Sequence, residues 1–311
     1  MIASDGALVP MALPLRTLAP AKINLGLFVG PTRPDGKHEL VSVMQPVSLA
    51  DEITLEPAAD GDEVVCPGVE GENLAARAIE LFRQATGWNE GPVRLSIDKR
   101  IPVAAGMGGG SADAGAALRL MRAASGLSDM DLLLTLAAEL GADVPAQVMP
   151  TRTLATGAGE LLEPLPDPFS PIGVLVLPQA QGLSTAAVYA QADRTQPARD
   201  ARYLVDRREG LRAAFALGAA VPEHMLLAND LQDACRSLSL EVAPALAQAQ
   251  EAGAEHAFVS GSGPTVVGLF ARANGAERAR RAAAALAGRV PAPIAAETVG
   301  ARFAAVQPLG A

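Results

Sequence analysis

Aromatic residues are scarce: seven Phe, two Tyr and one Trp make up 3% of the 311 residues. The core must therefore be aliphatic, and surfaces on which bases or sugars could stack are few. Positive charge is also in deficit. With 25 Lys and Arg against 34 Asp and Glu, the net charge is −9, which disfavours a general nucleic-acid or anionic-membrane binder, because both partners demand a basic field. An anionic ligand has to be held by local groups. The two cysteines, Cys66 and Cys235, lie far apart, and His38, His224 and His256 share no metal-ligand spacing. Neither a disulfide framework nor a resident metal site is expected, and two reduced thiols in a cytoplasmic protein are. No stretch of about 18 uninterrupted apolar residues predicts a membrane span. The N-terminal "MIASDGALVPMALPLRTLAP" lacks a basic start followed by a long apolar run. It reads as a loose extension rather than a signal peptide, with Met1 and Met11 both able to serve as the start.

What is present is punctuation and small residues. The length exceeds what one hydrophobic core usually serves, so one large or two moderate domains are expected. "AKINLGLFVG" alternates Ile23, Leu25, Leu27 and Val29 as a half-buried strand, and "DEITLEP" and "VRLSIDK" offer two more. Leu74, Ala78 and Phe82 share a helical face between Asn73 as N-cap and Gly87 as stop. Ser128 with Asp131 resembles a capping box opening "LLLTLAAEL", which ends at Gly141. Pro164, Pro166, Pro168 and Pro171 mark a linker. Beyond it, "IGVLVLP" and "TVVGLF" read as strands, and "EVAPALAQAQEAG" and "AERARRAAAALAG" as helices, so an α+β second half is expected. No internal repeat is visible, and the alanine-rich tracts are helix formers.

One stretch, "VAAGMGGGSADAG" from Val103 to Gly115, sets five glycines around Ser111, Ala112 and Asp113 at the mouth of a helix expected from about Ser111 to Ser125. It fails the dinucleotide fingerprint, which needs glycine at 111, and the Walker A loop, which needs a lysine. The physics still suits a phosphate. Glycines let backbone N–H groups converge on an anion, and the helix adds its positive dipole end. Ser111 could donate its hydroxyl to a phosphate or ligate an accompanying magnesium. A tight strand-to-helix turn explains the glycines equally well. Three further stretches carry the same ambiguity. Lys22 in "APAKINLGL" is a phosphate or hydroxyl partner, or a lysine snorkelling at a strand end. Asp143 in "GADVP" is a base or magnesium ligand in a short connection, or a turn or cap residue. Gly261, Ser262 and Gly263 form a second glycine-serine turn between strands, or an ordinary hairpin.

Taken together, "PAKINL", "PVAAGMGGGSADA", "GADVP" and "SGSGPT", in this order, resemble the galactokinase, homoserine kinase, mevalonate kinase and phosphomevalonate kinase (GHMP) superfamily. "RPDGKHEL", "SIDKRIP" and "NDLQ" narrow the resemblance to the 4-diphosphocytidyl-2-C-methyl-D-erythritol kinases of the non-mevalonate isoprenoid pathway, over about Leu18 to Phe270. The resemblance implies an α+β fold of two domains. Residues 1–166 would resemble the second domain of ribosomal protein S5, and residues 167–311 would be ferredoxin-like. It implies ATP with Mg²⁺, the phosphates lying on Pro102, Val103, Ala104, Ala105, Gly106, Met107, Gly108, Gly109, Gly110 and Ser111, and the adenine near Asn73 and Lys99. Asp143 would take the proton from the acceptor hydroxyl and Lys22 would stabilise that oxygen. Asn24, His38, Thr185 and Tyr189 would bind the cytidylyl substrate, His38 reading the cytosine and Tyr189 stacking on it.

Lys37 departs from the family pattern, which has an aromatic residue there. Its stem could stack on the base or its ammonium contact a phosphate. Ala104 and Ala105 replace two loop glycines, which is tolerable while both keep φ below zero. The expected reaction is phosphorylation of the 2-hydroxyl of the cytidylyl methylerythritol. A related kinase with mevalonate, phosphomevalonate or homoserine as acceptor, and a non-catalytic nucleotide- or sugar-binding homologue, are the alternatives. A small molecule is the expected partner, with monomer and homodimer both open.

Overall fold

The computed structural model describes residues 8–196, 199–219, 221 and 226–310, so His224 lies outside it. The chain begins with a long antiparallel pair, β1 (Leu15–Thr32) and β2 (His38–Pro57), joined by the turn at Pro34–Gly36. Register shifts between Pro20 and Lys22, Asn24 and Gly26, and Val29 and Thr32 bend β1. Residues 19–28 are buried on both faces. The alternation in "AKINLGLFVG" therefore does not mark a half-exposed strand, because helices cover the other face as well. The strand also starts upstream of the predicted segment. Leu15–Pro20 belong to β1 and the Met11 N–H bonds the Ala123 carbonyl, so this part of the N-terminal stretch is not a loose extension.

A parallel β3 (Glu63–Val65) and β4 (Val93–Asp98) follow, with α1 (Leu74–Thr86) as their crossover. Asn73 caps α1 through Oδ1 and Gly87 ends it, as predicted, but the buried stripe is Ala75, Ala78, Ile79 and Phe82. Leu74 is 36% exposed and faces a cleft instead. Helix α2 (Gly109–Ser125) starts two residues earlier than the sequence suggests, with Gly108 at its N-cap. Its alanines permit close packing. A Cβ at Gly115 would lie 2.6 Å from the Gln147 side chain on a crossing helix. Helix α3 (Met130–Leu140) is capped by Asp129, whose carboxylate accepts the Leu132 N–H, and not by Ser128. The short α4 (Val144–Val148) and the strands β5 (Thr153–Thr156) and β6 (Leu161–Pro164) complete this half.

The proline-rich segment leads from β6 to β7 (Gly173–Leu177) in a second sheet. Then come α5 (Thr185–Thr195), α6 (Ala201–Phe215), α7 (Gln232–Leu238), α8 (Val242–Glu251), β8 (His256–Val259), β9 (Val266–Phe270), α9 (Gly275–Ala285), β10 (Ile294–Glu297) and a 3₁₀ turn (Ala301–Ala304). The second sheet has the order β10-β7-β9-β8, all antiparallel. With helices between β7 and β8 and between β9 and β10, this is the ferredoxin-like succession. The last strand, β11 (Gln307–Pro308), returns to pair with β1.

Alternate residues of β7 serve two cores. Val174 and Val176 join the interior of the first sheet, whereas Leu175 and Leu177 pack with α8 and α9. Helix α6 also lays Leu204, Leu211 and Phe215 on the first interior. The two halves thus share apolar packing, and the residues that line the cleft come from both.

Candidate active site

A cleft of about 1000 Å³ opens where the two halves meet. That volume is at the upper end of single-ligand pockets and suits two ligands side by side. Its floor is β1. The register shift at Lys22 turns that residue's backbone N–H away from β2 and onto the Met107 carbonyl of the glycine loop, 3.0 Å away. Lys22 is only 6% exposed and sits inside a strand, so it is not a snorkelling surface lysine. Its Nζ donates to Asn24 Oδ1 at 2.9 Å and to the Gly106 carbonyl at 3.4 Å, and lies 3.5 Å from Asp143 Oδ2. Asn24 is oriented in turn by donating to the Ser42 hydroxyl at 2.7 Å. Asp143 occupies the N-cap position of α4 yet makes no capping bond. Its carboxylate, 32% exposed, is left to Lys22 and the cleft.

The glycine loop joins β4 to α2. Met107 is buried and anchors it, while Val103 is 65% exposed at its crest. Gly106 has φ 72°, and a Cβ there would come within 2.4 Å of the Ser260 carbonyl oxygen. Only glycine fits that close approach and that backbone region. Ala104 has φ 54°. The condition that both loop alanines keep negative φ therefore fails at Ala104, which holds a left-handed conformation that strains an L-residue by roughly 1–2 kcal/mol. At the head of α2 the Ala112 N–H bonds the Gly108 carbonyl. The N–H groups of Gly109, Gly110 and Ser111 precede that turn and have no intrahelical partner, an arrangement that suits an anion. Pro102 and Ala105 line the same wall.

Asn73 and Lys99 border the far end of the cleft, with Cys66 and Leu74. The Lys99 ammonium is held by two carboxylates. It donates to Asp51 at 2.6 Å and to Asp113 at 2.8 Å. Burial opposes the Lys99 charge, but the two carboxylates outweigh it and raise its pKa. That ammonium lies beside the head of α2, 3.1 Å from where a Cβ on Gly109 would stand. Neither acidic partner was legible as such in the sequence: Asp51 lies 48 positions away and Asp113 looked like an ordinary helix residue.

At the opposite end, α5 presents Thr185, Tyr189 and Asp193 at i, i+4 and i+8, one face of a helix. The Thr185 hydroxyl is 3.0 Å from that of Ser262 in the β8–β9 turn. Tyr189 packs against the His38 ring, centroids 5.0 Å apart and planes tilted 37°. Burial, aided by the charge of Asp143, pushes the Tyr189 phenol up to about 12, so it stays neutral. His38 Nε2 is 2.9 Å from Asp193 Oδ1. Sequence reading missed Asp193, although its four-residue spacing from Tyr189 is the signal that finds it. Lys37 is exposed on the cleft rim beside His38. All the site residues that the family resemblance implies thus line this cleft, except Met107, which is buried beneath it. The Gly261–Gly263 turn is a β8–β9 hairpin, and Gly261 and Ser262 line the cleft too.

Among the described residues no group of three or more His, Cys, Asp or Glu could hold a metal by itself, and no helix is long and apolar enough to cross a membrane.

Two family models match the chain: the GHMP kinases N-terminal domain over residues 73–150 and the GHMP kinases C-terminal domain over residues 211–288. A Kineococcus radiotolerans protein named 4-diphosphocytidyl-2-C-methyl-D-erythritol kinase is 43% identical, covering 84% of this chain and 82% of its own. A Thermobifida fusca protein of the same name is 42% identical, covering 86% and 89%. A crystal structure of 4-(cytidine 5'-diphospho)-2C-methyl-D-erythritol kinase superposes with a TM-score of 0.73 at 36% identity, over 92% of this chain and 99% of the other. An L. major mevalonate kinase, 16% identical with a TM-score of 0.65, shares the fold. With the cleft, the glycine loop and the Lys22–Asp143 pair in place, these likenesses show that the chain belongs to the 4-diphosphocytidyl-2-C-methyl-D-erythritol kinase family of the GHMP kinases.

Proposed function

We propose that the chain transfers the γ-phosphoryl group of ATP to the 2-hydroxyl of 4-diphosphocytidyl-2-C-methyl-D-erythritol, giving the 2-phosphate and ADP, as a cytoplasmic step of isoprenoid precursor synthesis. The observation that carries this reading is the Lys22–Asp143 pair at 3.5 Å beside the head of α2, in a chain of this family. Phosphoryl transfer needs positioning and charge stabilisation more than covalent help. The free N–H groups of Gly109, Gly110 and Ser111 hold the phosphates, and Asn73 with Lys99 borders the adenine. Asp143 accepts the proton of the attacking hydroxyl. Lys22 stabilises the oxygen as it gains negative charge, and Asn24 holds the ammonium in place.

Magnesium fits the donor set. With no protein-only site among the described residues, the ion would arrive on the nucleotide and keep several waters, with the Ser111 hydroxyl and the outer oxygen of Asp143 as its protein ligands. When bound it neutralises charge on the phosphates. His38, fixed through Nε2 by Asp193, offers Nδ1 to the cytosine, and Tyr189 offers a stacking face. We place the division of the two units between residues 166 and 167, with β11 returning to the first.

Lys37 favours a second reading, a GHMP kinase with a different small alcohol, because the family's second stacking residue is missing there. Purified protein with ATP, magnesium and the cytidylyl substrate should release ADP stoichiometrically with phosphorylated product. ADP release with mevalonate, phosphomevalonate or homoserine instead would move the acceptor assignment and leave the phosphoryl-transfer chemistry standing.

A further inference from the structure

The "NDLQ" segment, Asn229 to Gln232, lies outside the cleft lining and has no part in the chemistry above. Its contacts join the two walls of the site. The backbone of the segment runs parallel to β1 at Leu27: the Leu27 N–H donates to the Ala228 carbonyl and the Asp230 N–H to the Leu27 carbonyl, both at 2.9 Å. The Asp230 carboxylate, 9% exposed, accepts the Val29 N–H at 2.9 Å and the Tyr203 hydroxyl, and pairs with Arg199. The segment is therefore fastened to the strand that carries Lys22 and Asn24.

The Asn229 side chain reaches the other way. Its amide nitrogen donates to the carbonyls of Val259 and Gly261, both at 2.7 Å, and its Oδ1 accepts the Leu231 N–H at 2.9 Å. Both amide hydrogens are thereby used on the β8–β9 turn. Gly261 in that turn sits so close to the phosphate cradle that a Cβ on it would be 2.9 Å from the Gly106 carbonyl and 3.2 Å from Lys22 Nζ. The Ser260 hydroxyl donates to the same Gly106 carbonyl at 3.2 Å. Gln232 bonds the Val259 N–H at 3.0 Å, on the same strand edge but short of the turn.

On these contacts, and taking the glycine loop as the ATP cradle, we infer that Asn229 is a positioning residue: it sets the Gly261–Ser262 turn against Gly106 and Lys22. The position requires two N–H donors, since an aspartate of the same shape would aim a carboxylate at two carbonyl oxygens. Loss of the turn's anchor loosens one wall of the cradle and the ammonium beneath it, so nucleotide binding and transfer suffer together.

The test compares Asn229→Asp, Asn229→Ala and Gln232→Ala by melting temperature, by calorimetric ADP affinity and by steady-state kinetics. Both Asn229 variants are expected to lose tenfold or more in ADP affinity or in kcat/KM for ATP. Gln232→Ala, at a similar loss of melting temperature, is expected to stay within threefold on both nucleotide parameters. Nucleotide losses that track melting temperature equally at both positions, or Asn229 variants that bind ADP and use ATP normally, would overturn the inference. If Asn229→Ala does not fold, Asn229→Ser keeps one donor and should give an intermediate loss. ADP affinity is read without an acceptor, so a wild-type protein inert toward the cytidylyl substrate would count against the proposed function and not against this role.

Discussion

Lys22 Nζ lies 3.5 Å from Asp143 Oδ2, joining the inside of β1 to the head of α4, with the Gly106 carbonyl 3.4 Å from the same ammonium. One cation thus touches the proposed base and the proposed phosphate cradle at once. A pair of this kind acts as a unit, and removing either member disables the other.

Asp143→Asn keeps the shape of the site and removes the proton acceptor. Its kcat should fall by about 10²–10⁴-fold, the usual worth of general-base help, with ADP affinity nearly unchanged. Lys22→Met should fall by about 10²–10³-fold, comparable to losing one oxyanion donor. The double variant should be little worse than the poorer single one. Multiplicative losses in kcat across the three proteins would show that the two side chains act independently.

Gly106 in the loop and Gly110 in the first turn of α2 stand four residues apart, and alanine should act oppositely at the two. At Gly106 a Cβ would meet the Ser260 oxygen at 2.4 Å with φ at 72°, whereas at Gly110 the nearest atom is 3.9 Å away in a helical conformation. Gly106→Ala should lower the melting temperature and weaken ADP binding about tenfold or more, since strain and clash add. Gly110→Ala should raise the melting temperature, as alanine in a helix is favoured by up to about 1 kcal/mol. Thermal unfolding of the apo proteins decides, and a destabilised Gly110→Ala would mean that α2 does not start where it is placed.

How much of this was legible from the residues depended on whether a signal is local. Asn73 as a cap, Gly87 as a stop and the glycine run as a helix mouth are read within a few positions, and all three stand. An α+β second half followed from the short apolar strands and helices beyond the Pro164–Pro171 break, and its ferredoxin-like form only from the family resemblance. The burial of β1 on both faces was hidden, because alternation says nothing once helices cover each side. α4 has five residues, too few to show a period, so Asp143 looked like part of a loop. Asp51 beside Lys99, and Asn229 beneath Gly261, are contacts across 48 and 32 positions that no spacing rule encodes.

Lys37 is exposed on the rim of the cleft beside His38. Lys37→Tyr restores an aromatic opposite Tyr189. A base gaining one stacking partner is worth about 1–3 kcal/mol, so KM for the cytidylyl substrate should fall at least severalfold while kcat holds. Steady-state kinetics with varied acceptor measure this. An unchanged KM would place the cytosine away from residue 37.

Asp51 and Asp113 grip Lys99 from two sides, but unequally. Asp51 also accepts the N–H groups of Arg100 at 2.6 Å and Ile101 at 2.8 Å, whereas Asp113 Oδ1, buried, has no partner. Burial raises the Asp113 pKa, Lys99 pulls it back and the neighbouring Asp51 raises it again, to about 7. An unfolded aspartate titrates near about 4. With the folded value above the unfolded one, the folded state holds the proton more tightly. The contribution of this group to stability is full below about pH 4 and is lost as pH rises through about 7. Asparagine at 113 can still accept from Lys99 and does not titrate. In nucleotide-free, magnesium-free buffer, the melting temperature of Asp113→Asn relative to wild type should therefore rise between pH 5 and about pH 7 and level off above it. A difference that stays constant over that range would mean that Asp113 is ionised throughout, its charge carried by Lys99 alone.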